Sequence, residues 1–231
     1  METELLKCNC FDCVLKSLLF KHLSNEEMTN MCHSKTEKQY KKGETIIEEG
    51  TAIENFVYLK DGLVKLYKRI DNTKSQIISV AKPFDFISLL SVFSNTTYNF
   101  SVSALEDSTA CIVDLKLIKD IIRKNGNFAL DIIEKMNVAS DSIIQSYLDR
   151  NRKNLRGRIA YILLYFSDEI YKQEKFEIPV SRKEIAELIE MTTENVIRVM
   201  SEFRRDKIIQ INGKEITILN KDMLQKICNA G

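Results

Sequence analysis

Ser181-Arg182-Lys183-Glu184 opens the most restrictive stretch of this chain. Serine followed three positions on by glutamate is a capping box. The Ser181 hydroxyl accepts from the N–H of Glu184, and the Glu184 carboxylate accepts from the N–H of Ser181. The helix so started turns Ile185, Ala186, Leu188 and Ile189 inward. Met191-Thr192-Thr193 interrupts that pattern, and Thr192 suits the N-cap of a second helix that buries Val196, Val199, Met200 and Phe203. Two short helices joined by about three residues, with the small Ala186 at their crossing, predict a helix-turn-helix. Beyond it, Ile208–Ile211, Asn212-Gly213 and Ile216–Leu219 predict a β-hairpin on a type I′ turn. The unit reads as a winged helix-turn-helix.

The second helix presents Thr193, Glu194, Ile197, Arg198 and Ser201 outward. In a DNA major groove, arginine can grip guanine O6 and N7 with two bonds, and glutamate can accept from cytosine N4. Glu194 and Arg198, four apart, would also suit an ordinary surface ion pair of about 0.3–0.5 kcal/mol. Their place at the start of the second helix favours base reading. Ser181, Arg182, Lys183 and Thr192 complete the expected DNA-contacting set, with Arg182 and Lys183 as candidates for phosphate. A net charge of +1 over 231 residues does not by itself mark a nucleic-acid binder. The stretch Asn151–Gly231 nevertheless holds 15 Lys and Arg against 12 Asp and Glu, the sign that phosphate contacts require.

Upstream, from about Tyr40 to Leu115, short β-friendly runs lie at Glu44–Glu49, Phe56–Leu59, Leu63–Tyr67, Gln76–Val80 and Thr109–Leu115. Turn signals at Gly43, Gly50, Asp61-Gly62, Asp71-Asn72 and Lys82-Pro83 separate them, a pattern that predicts a barrel or jelly roll. A helical seam follows in Ala129, Ile132, Met136, Ala139 and Ile143, widened by Ile133, Ser140, Ile144 and Tyr147. Such a stripe can pack on its own domain or on a second copy, and with the winged motif beyond it the expectation is a dimer seam at Ala129, Ile132, Met136, Ala139 and Ile143. The expected fold is α+β: a Cys-containing segment over 1–35, a cupin-like β-roll over 36–116, a long dimerisation helix over 117–150 and the winged motif over 151–231.

No apolar run approaches the roughly 18 residues that span a bilayer, and Met1–Lys7 does not read as a signal peptide. A cytoplasmic protein without membrane contact is expected. Of six cysteines, Cys8, Cys10 and Cys13 cluster, while Cys32, Cys111 and Cys228 stand apart. Clustered thiols in an unexported chain point to metal or redox chemistry before disulfides. Cys8, Cys10, Cys13 and Cys32 or His33 could form a zinc site. Cys111 sits between Ala110 and Ile112 in an apolar run and could equally be core.

Ser181–Arg205, with Thr193-Glu194-Asn195-Val196-Ile197-Arg198 inside it, resembles the Crp/Fnr family of bacterial regulators. So does the order of parts: a β-roll with Lys42-Gly43-Glu44 and Asp61-Gly62, a long helix, then the winged motif. The resemblance implies a homodimeric transcription regulator, not an enzyme, that binds double-stranded DNA at an inverted repeat and contacts RNA polymerase. It places Glu194 and Arg198 at the family's base-reading positions. Ile197 departs from the serine usual in the Fnr branch, and Glu190 from the glycine often found in the turn. The family's cyclic-nucleotide branch holds its ligand with a Gly-Glu pair and an Arg-Ser pair. Residues 84–103 here contain no glycine, arginine or glutamate, which argues against cyclic AMP.

By the same resemblance, Cys10, Cys13 and Cys111 match Fnr iron–sulfur ligands. The remaining family position falls at Leu19, which leaves Cys8 or Cys32 as a fourth ligand. An oxygen- or redox-responsive regulator is therefore expected. Thiol redox, zinc, haem or a small molecule are the alternative sensors. From other classes, a cupin-like metalloenzyme is opposed by the presence of only His22 and His33. A ligand-binding or protein-interaction scaffold would lack sequence-specific DNA binding.

Overall fold

The computed structural model describes Lys16, residues 20–71 and residues 74–231. Two units emerge: one runs to Arg69 and resumes over Ile78–Asp141, and the other holds Ile70–Ile77 and Ser142–Gly231.

In the first unit, β1 (Thr36–Tyr40), β7 (Ser108–Asp114) and β3 (Asn55–Asp61) form an antiparallel sheet in the order β1-β7-β3. A second sheet runs β2-β6-β4-β5, built from β2 (Thr45–Ile47), β6 (Ser101–Ala104), β4 (Val64–Arg69) and β5 (Ser75–Ala81), the last belonging to this unit from Ile78 onward. Period-two alternation gives the first sheet two apolar faces. Val57, Leu59 and Ala110 cluster with Val64, Leu66, Val102 and Ala104 of the second sheet. Phe56, Tyr58, Cys111 and Val113 take the other face. That face is covered by α1 (Asn25–Ser34), α3 (Leu115–Lys124) and the start of α4 (Gly126–Asn151), through Met28, Met31, Ile118, Ile121, Phe128 and Ile132. Each such side chain contributes about 1.5–3 kcal/mol by leaving water. The remaining helix of this unit, α2, is the single turn Leu89–Val92.

The β-roll is as expected, with two strands added. β1 is polar in sequence (TEKQY) yet buries Glu37 and Tyr40. β6 is Ser-Val-Ser-Ala, with all four residues buried. β1 shows no apolar alternation, and β6 alternates only through Val102 and Ala104 between two serines, so their partners more than their composition make them strands. Gly62 turns the chain between β3 and β4 at φ +89°, where a Cβ would lie 2.7 Å from both the Asp107 carbonyl oxygen and the Ser108 Cα. Only glycine fits there.

The expected single helix over 117–150 is two helices. Asn125 ends α3, its N–H donating to the Ile121 carbonyl, and its side-chain oxygen accepts from Phe128 N at 3.1 Å to open α4.

In the second unit, α5 (Leu155–Leu164) continues into a π-helical segment, Tyr165–Tyr171. After β8 (Lys175–Glu177) come α6 (Arg182–Ile189), α7 (Thr193–Arg205), β9 (Ile209–Asn212), β10 (Glu215–Ile218) and α8 (Lys221–Ala230). The small sheet runs β8-β10-β9, and α8 packs on α5. Among the described residues, no helix is long and apolar enough to cross a membrane.

Candidate nucleic-acid interface

Both halves of the capping box form at Ser181. Its N–H donates to Glu184 Oε2 at 2.8 Å, and its hydroxyl accepts from Glu184 N at 3.2 Å. Ile185, Ala186, Leu188 and Ile189 are buried as the spacing requires. Arg158, from α5, spans the far end of α6: Nη1 donates to the Ile189 carbonyl and Nε to the Lys153 carbonyl, both at 3.0 Å. The chain leaves α6 through Glu190, at φ 55° and ψ 54°. This left-handed conformation costs a residue with a Cβ about 1–2 kcal/mol. Glu190→Gly should therefore stabilise the protein by up to about 1 kcal/mol, since glycine carries its own entropic cost. A higher denaturant midpoint at unchanged slope would show it, and a lower one would mean that the Glu190 side chain outweighs its strain.

Thr192 caps α7, accepting from Asn195 N at 3.3 Å. Val196, Val199, Met200 and Phe203 face inward. Glu194, Ile197, Arg198 and Ser201 are exposed, and Thr193 is half-buried. Ile197, at 50% exposure, is a large apolar side chain left in solvent on this face. The Glu194 backbone N–H, and then the Thr192 side chain, bond its carboxyl and hold it below the usual carboxylate range. The group is ionised at neutral pH and can only accept. Ser201 donates to the Ile197 carbonyl at 2.8 Å. Of the expected phosphate contacts, Arg182 is half-buried, with desolvation lowering its pKa, and Lys183 is exposed, 3.8 Å from Glu187.

The ion pair considered between Glu194 and Arg198 does not form. Arg198 Nη1 donates instead to Glu202 Oε1 at 2.7 Å. Glu202 Oε2 accepts from Arg156 Nη1, also at 2.7 Å. The sequence reading missed Glu202 and Arg156. The four-residue step from Arg198 to Glu202 was the available signal, but the link to Arg156, 46 positions away, needs the fold.

The hairpin also departs from expectation by one position. Asn212 pairs with Glu215, so Gly213-Lys214 rather than Asn212-Gly213 forms the turn. Gly213 has φ 63° and Lys214 has no positive φ, which fits a type II′ turn rather than type I′. This register buries Ile209, Ile216 and Ile218 together. Moving a two-residue turn by one position changes each cross-strand pairing by two residues, so these side chains keep their face and change only their partners, Ile209 lying opposite Ile218.

The helical seam divides. Ile132 is 3% exposed in the core of the first unit and Met136 packs against that core, so these two face their own domain. Ala129, Ala139 and Ile143 are half-buried. The large apolar side chains that α4 leaves in solvent are Leu130, Ile133, Val138, Ile144, Tyr147 and Leu148. With Asn137 and Ser140, the residues Leu130, Ile133, Ile144 and Tyr147 keep the alternating three-and-four spacing of a helix–helix seam.

Cys111 is fully buried on β7, between Glu37 of β1 and Tyr58 of β3. Its sulfur donates to Glu37 Oε1 at 3.8 Å, and burial pushes its pKa up to about 12. Lys35 and Lys60 bind the two Glu37 oxygens at 2.8 Å each. Cys32, half-buried on α1, packs against the cluster that contains Cys111. Cys228 is buried on α8, in the other unit. Cys8, Cys10 and Cys13 lie outside the described residues. Among the described residues, no three His, Cys, Asp or Glu side chains gather as a metal site.

Comparison with known proteins covers both units. A family profile described as cyclic nucleotide-binding domain matches residues 37–125, and one described as Crp-like helix-turn-helix domain matches residues 157–227. Fumarate and nitrate reduction regulatory proteins are similar over most of their length. That of Vibrio cholerae is 23% identical over 225 residues, 95% of this chain and 90% of that protein. That of Escherichia coli K12 is 22% identical over 227 residues, with the same coverage. Among solved structures, FixK2 from Bradyrhizobium japonicum superposes with a TM-score of 0.74 at 22% identity, covering 84% of this chain and 96% of that one. A Crp/Fnr-family regulator from Eubacterium rectale gives 0.76 at 18% identity, covering 91% and 97%. A nucleotide-type β-roll, followed in one chain by the Crp-type DNA-binding domain, is the arrangement of transcription regulators rather than enzymes, and this chain belongs to the Crp/Fnr family.

Proposed function

We propose that the protein binds an inverted-repeat duplex as a homodimer, with α7 in the major groove, and responds to oxygen or redox state. The observation that carries the DNA reading is the outer face of α7. There an ionised Glu194 and a half-exposed Arg198 stand one turn apart, with Ile197 beside them. Arg198 would grip guanine, Glu194 would accept from cytosine N4, and Ile197 would contact a thymine methyl. Two such helices in a dimer would address half-sites about 34 Å apart. Leu130, Ile133, Ile144 and Tyr147 are the proposed contact with the second copy. RNA polymerase is the partner that family membership implies. The proposed domain limits remain a cysteine-bearing segment to residue 35, the roll to 116, the helical link to 150 and the DNA-binding domain beyond.

The sensor reading rests on Cys10, Cys13 and Cys111, with Cys8 or Cys32 completing the set. Support comes from the similarity to fumarate and nitrate reduction regulators over 95% of this chain. The two thiols Cys111 and Cys32 border one apolar cluster, which adds to it. A thiol with a pKa of about 12 is protonated at neutral pH, so Cys111 is poorly suited to redox chemistry as a free thiolate. Coordination to iron would deprotonate it outright. An iron–sulfur cluster there would supply the sensitivity to oxygen. Cyclic AMP remains disfavoured, because residues 84–103 offer no arginine for its phosphate.

Iron and sulfide content after anaerobic purification tests this. Cys10→Ala, Cys13→Ala and Cys111→Ala should each lose both, while Cys228→Ala keeps them. Loss in Cys8→Ala or Cys32→Ala would identify the fourth ligand. Full retention in the first three variants would remove the cluster from the reading and leave the DNA-binding function untouched.

A further inference from the structure

An isolated arginine–glutamate pair one turn apart on an exposed helix contributes little to stability. The pair on α7 is not isolated. Glu202 is only 20% exposed, and each of its oxygens is taken by a different arginine: Oε1 by Arg198 of the same helix and Oε2 by Arg156 of α5. Arg156 is itself held. Its guanidinium carbon lies 5.0 Å from the centre of the Phe203 ring, and its Nη2 is 3.5 Å from Asp206. Phe203 is fully buried. A chain of contacts therefore runs from the core of this domain, through Arg156 and Glu202, to a guanidinium that is 56% exposed on the outer face.

We propose that Glu202 is a positioning residue that holds Arg198 ready for its base, and that Arg156 holds Glu202. The proposal rests on the reading of α7 as the base-contacting helix. A free arginine side chain explores many rotamers, and ordering it on binding consumes affinity. A carboxylate that is already immobilised removes much of that loss. Guanidinium has five N–H donors in a rigid fork, and Glu202 occupies one on Nη1. Asn195 Oδ1, 3.5 Å from Nη2, limits rotation on the other side. Enough donors remain for a two-bond grip on guanine. Because Oε2 is committed to Arg156, the carboxylate cannot swing away with the tip of Arg198. The negative charge it brings near DNA is offset by the two arginines it bridges.

The test is titration of the full-length protein against its selected duplex, and against duplexes changed at single G·C pairs of the half-site. Arg198→Ala locates the pair that Arg198 reads. Glu202→Ala should then reduce discrimination at that same pair by about 3- to 10-fold, the loss of one pre-ordered side chain. Preference elsewhere in the half-site and binding to non-specific duplex should be little changed. Glu202→Gln, which keeps an acceptor on Arg198, should restore most of the discrimination. In the Arg198→Ala background, Glu202→Ala should change nothing further at that pair.

Three results would overturn the proposal: unchanged discrimination in Glu202→Ala, tighter binding to every duplex alike, or preference lost at every pair in both variants. The first would make the bridge incidental, the second would make Glu202 a repulsive charge, and the third would make it structural. If Arg198→Ala itself leaves selection intact, the reading of α7 fails first and takes the proposal with it. If only Glu202→Ala is silent, that reading stands and the proposal alone falls.

Discussion

Ile133→Glu and Ile144→Glu should each leave the protein monomeric in sedimentation under conditions where the wild type is dimeric, whereas Ile132→Glu should unfold it. All three residues are isoleucines of one helix, and the sequence pattern puts Ile132 at the centre of the seam with Ile133 and Ile144 on its edge, the reverse of their exposure. Ile133 and Ile144 are each 52% exposed on α4. They lie on a stripe of alternating three-and-four spacing that begins at Leu130 and reaches Tyr147. A carboxylate there is solvated in the monomer but would be buried without a partner in the dimer, costing about 3–5 kcal/mol per unpaired charge. In a symmetric pair that cost arises twice. Ile132 is 3% exposed among Phe128, Ile118 and the aromatic residues of β3. A charge there must be buried even in the monomer, and deletion to alanine alone should cost about 2–5 kcal/mol. Thermal melting separates the outcomes: near-wild-type unfolding of the isolated monomer for Ile133→Glu and Ile144→Glu, and loss of a cooperative transition for Ile132→Glu. A persistent dimer in both exposed variants would move the interface off α4.

Arg198→Ala should weaken specific binding by about 1–3 kcal/mol per half-site, roughly five- to 150-fold, and relax the preference at one G·C pair. A dimer on an inverted repeat loses this at both half-sites. Glu194→Ala should relax preference at another position of the same half-site, because an ionised carboxylate can accept from cytosine N4 but cannot donate. Ile197→Ala should weaken preference for thymine only. Arg182→Ala and Lys183→Ala serve as contrasts. If they touch phosphate, they should weaken all sequences alike and flatten the dependence of affinity on salt. Binding-site selection with each variant measures this. The same half-site chosen with the same stringency by Arg198→Ala would show that α7 is not the reader.

Local chemistry carried most of what was legible before the structure. The capping box at Ser181, the Thr192 cap and the buried sets of α6 and α7 stand where their spacing puts them. These depend on hydrogen bonds across three residues and on a period of 3.6, both written within a single segment. The β-roll was legible through its apolar strands and its turn glycines, but not through β1 and β6. β1 is a polar stretch and β6 a four-residue run half of serine, and their places are set by pairing with β7, β2 and β4.

What only the tertiary structure decided involves residues distant in sequence or faces a degree of rotation apart. A wide apolar stripe on α4 cannot say which of its edges meets the roll, and packing of Ile132 and Met136 against the roll answers that. The hairpin turn sits one position beyond the Asn-Gly signal, which pairs Ile209 with Ile218 and Ile211 with Ile216, partnerships that a local turn signal does not contain. Arg198 does not take the alternative ion pair with Glu194, four residues before, and pairs with Glu202, four residues after. The choice was made by Arg156, which fixes Glu202 from another helix. Sequence determined the kind of module and the face it presents, because both follow from short-range periodicity. The tertiary structure decided which side chains on that face are held still, because rigidity comes from contacts that close over long stretches of chain.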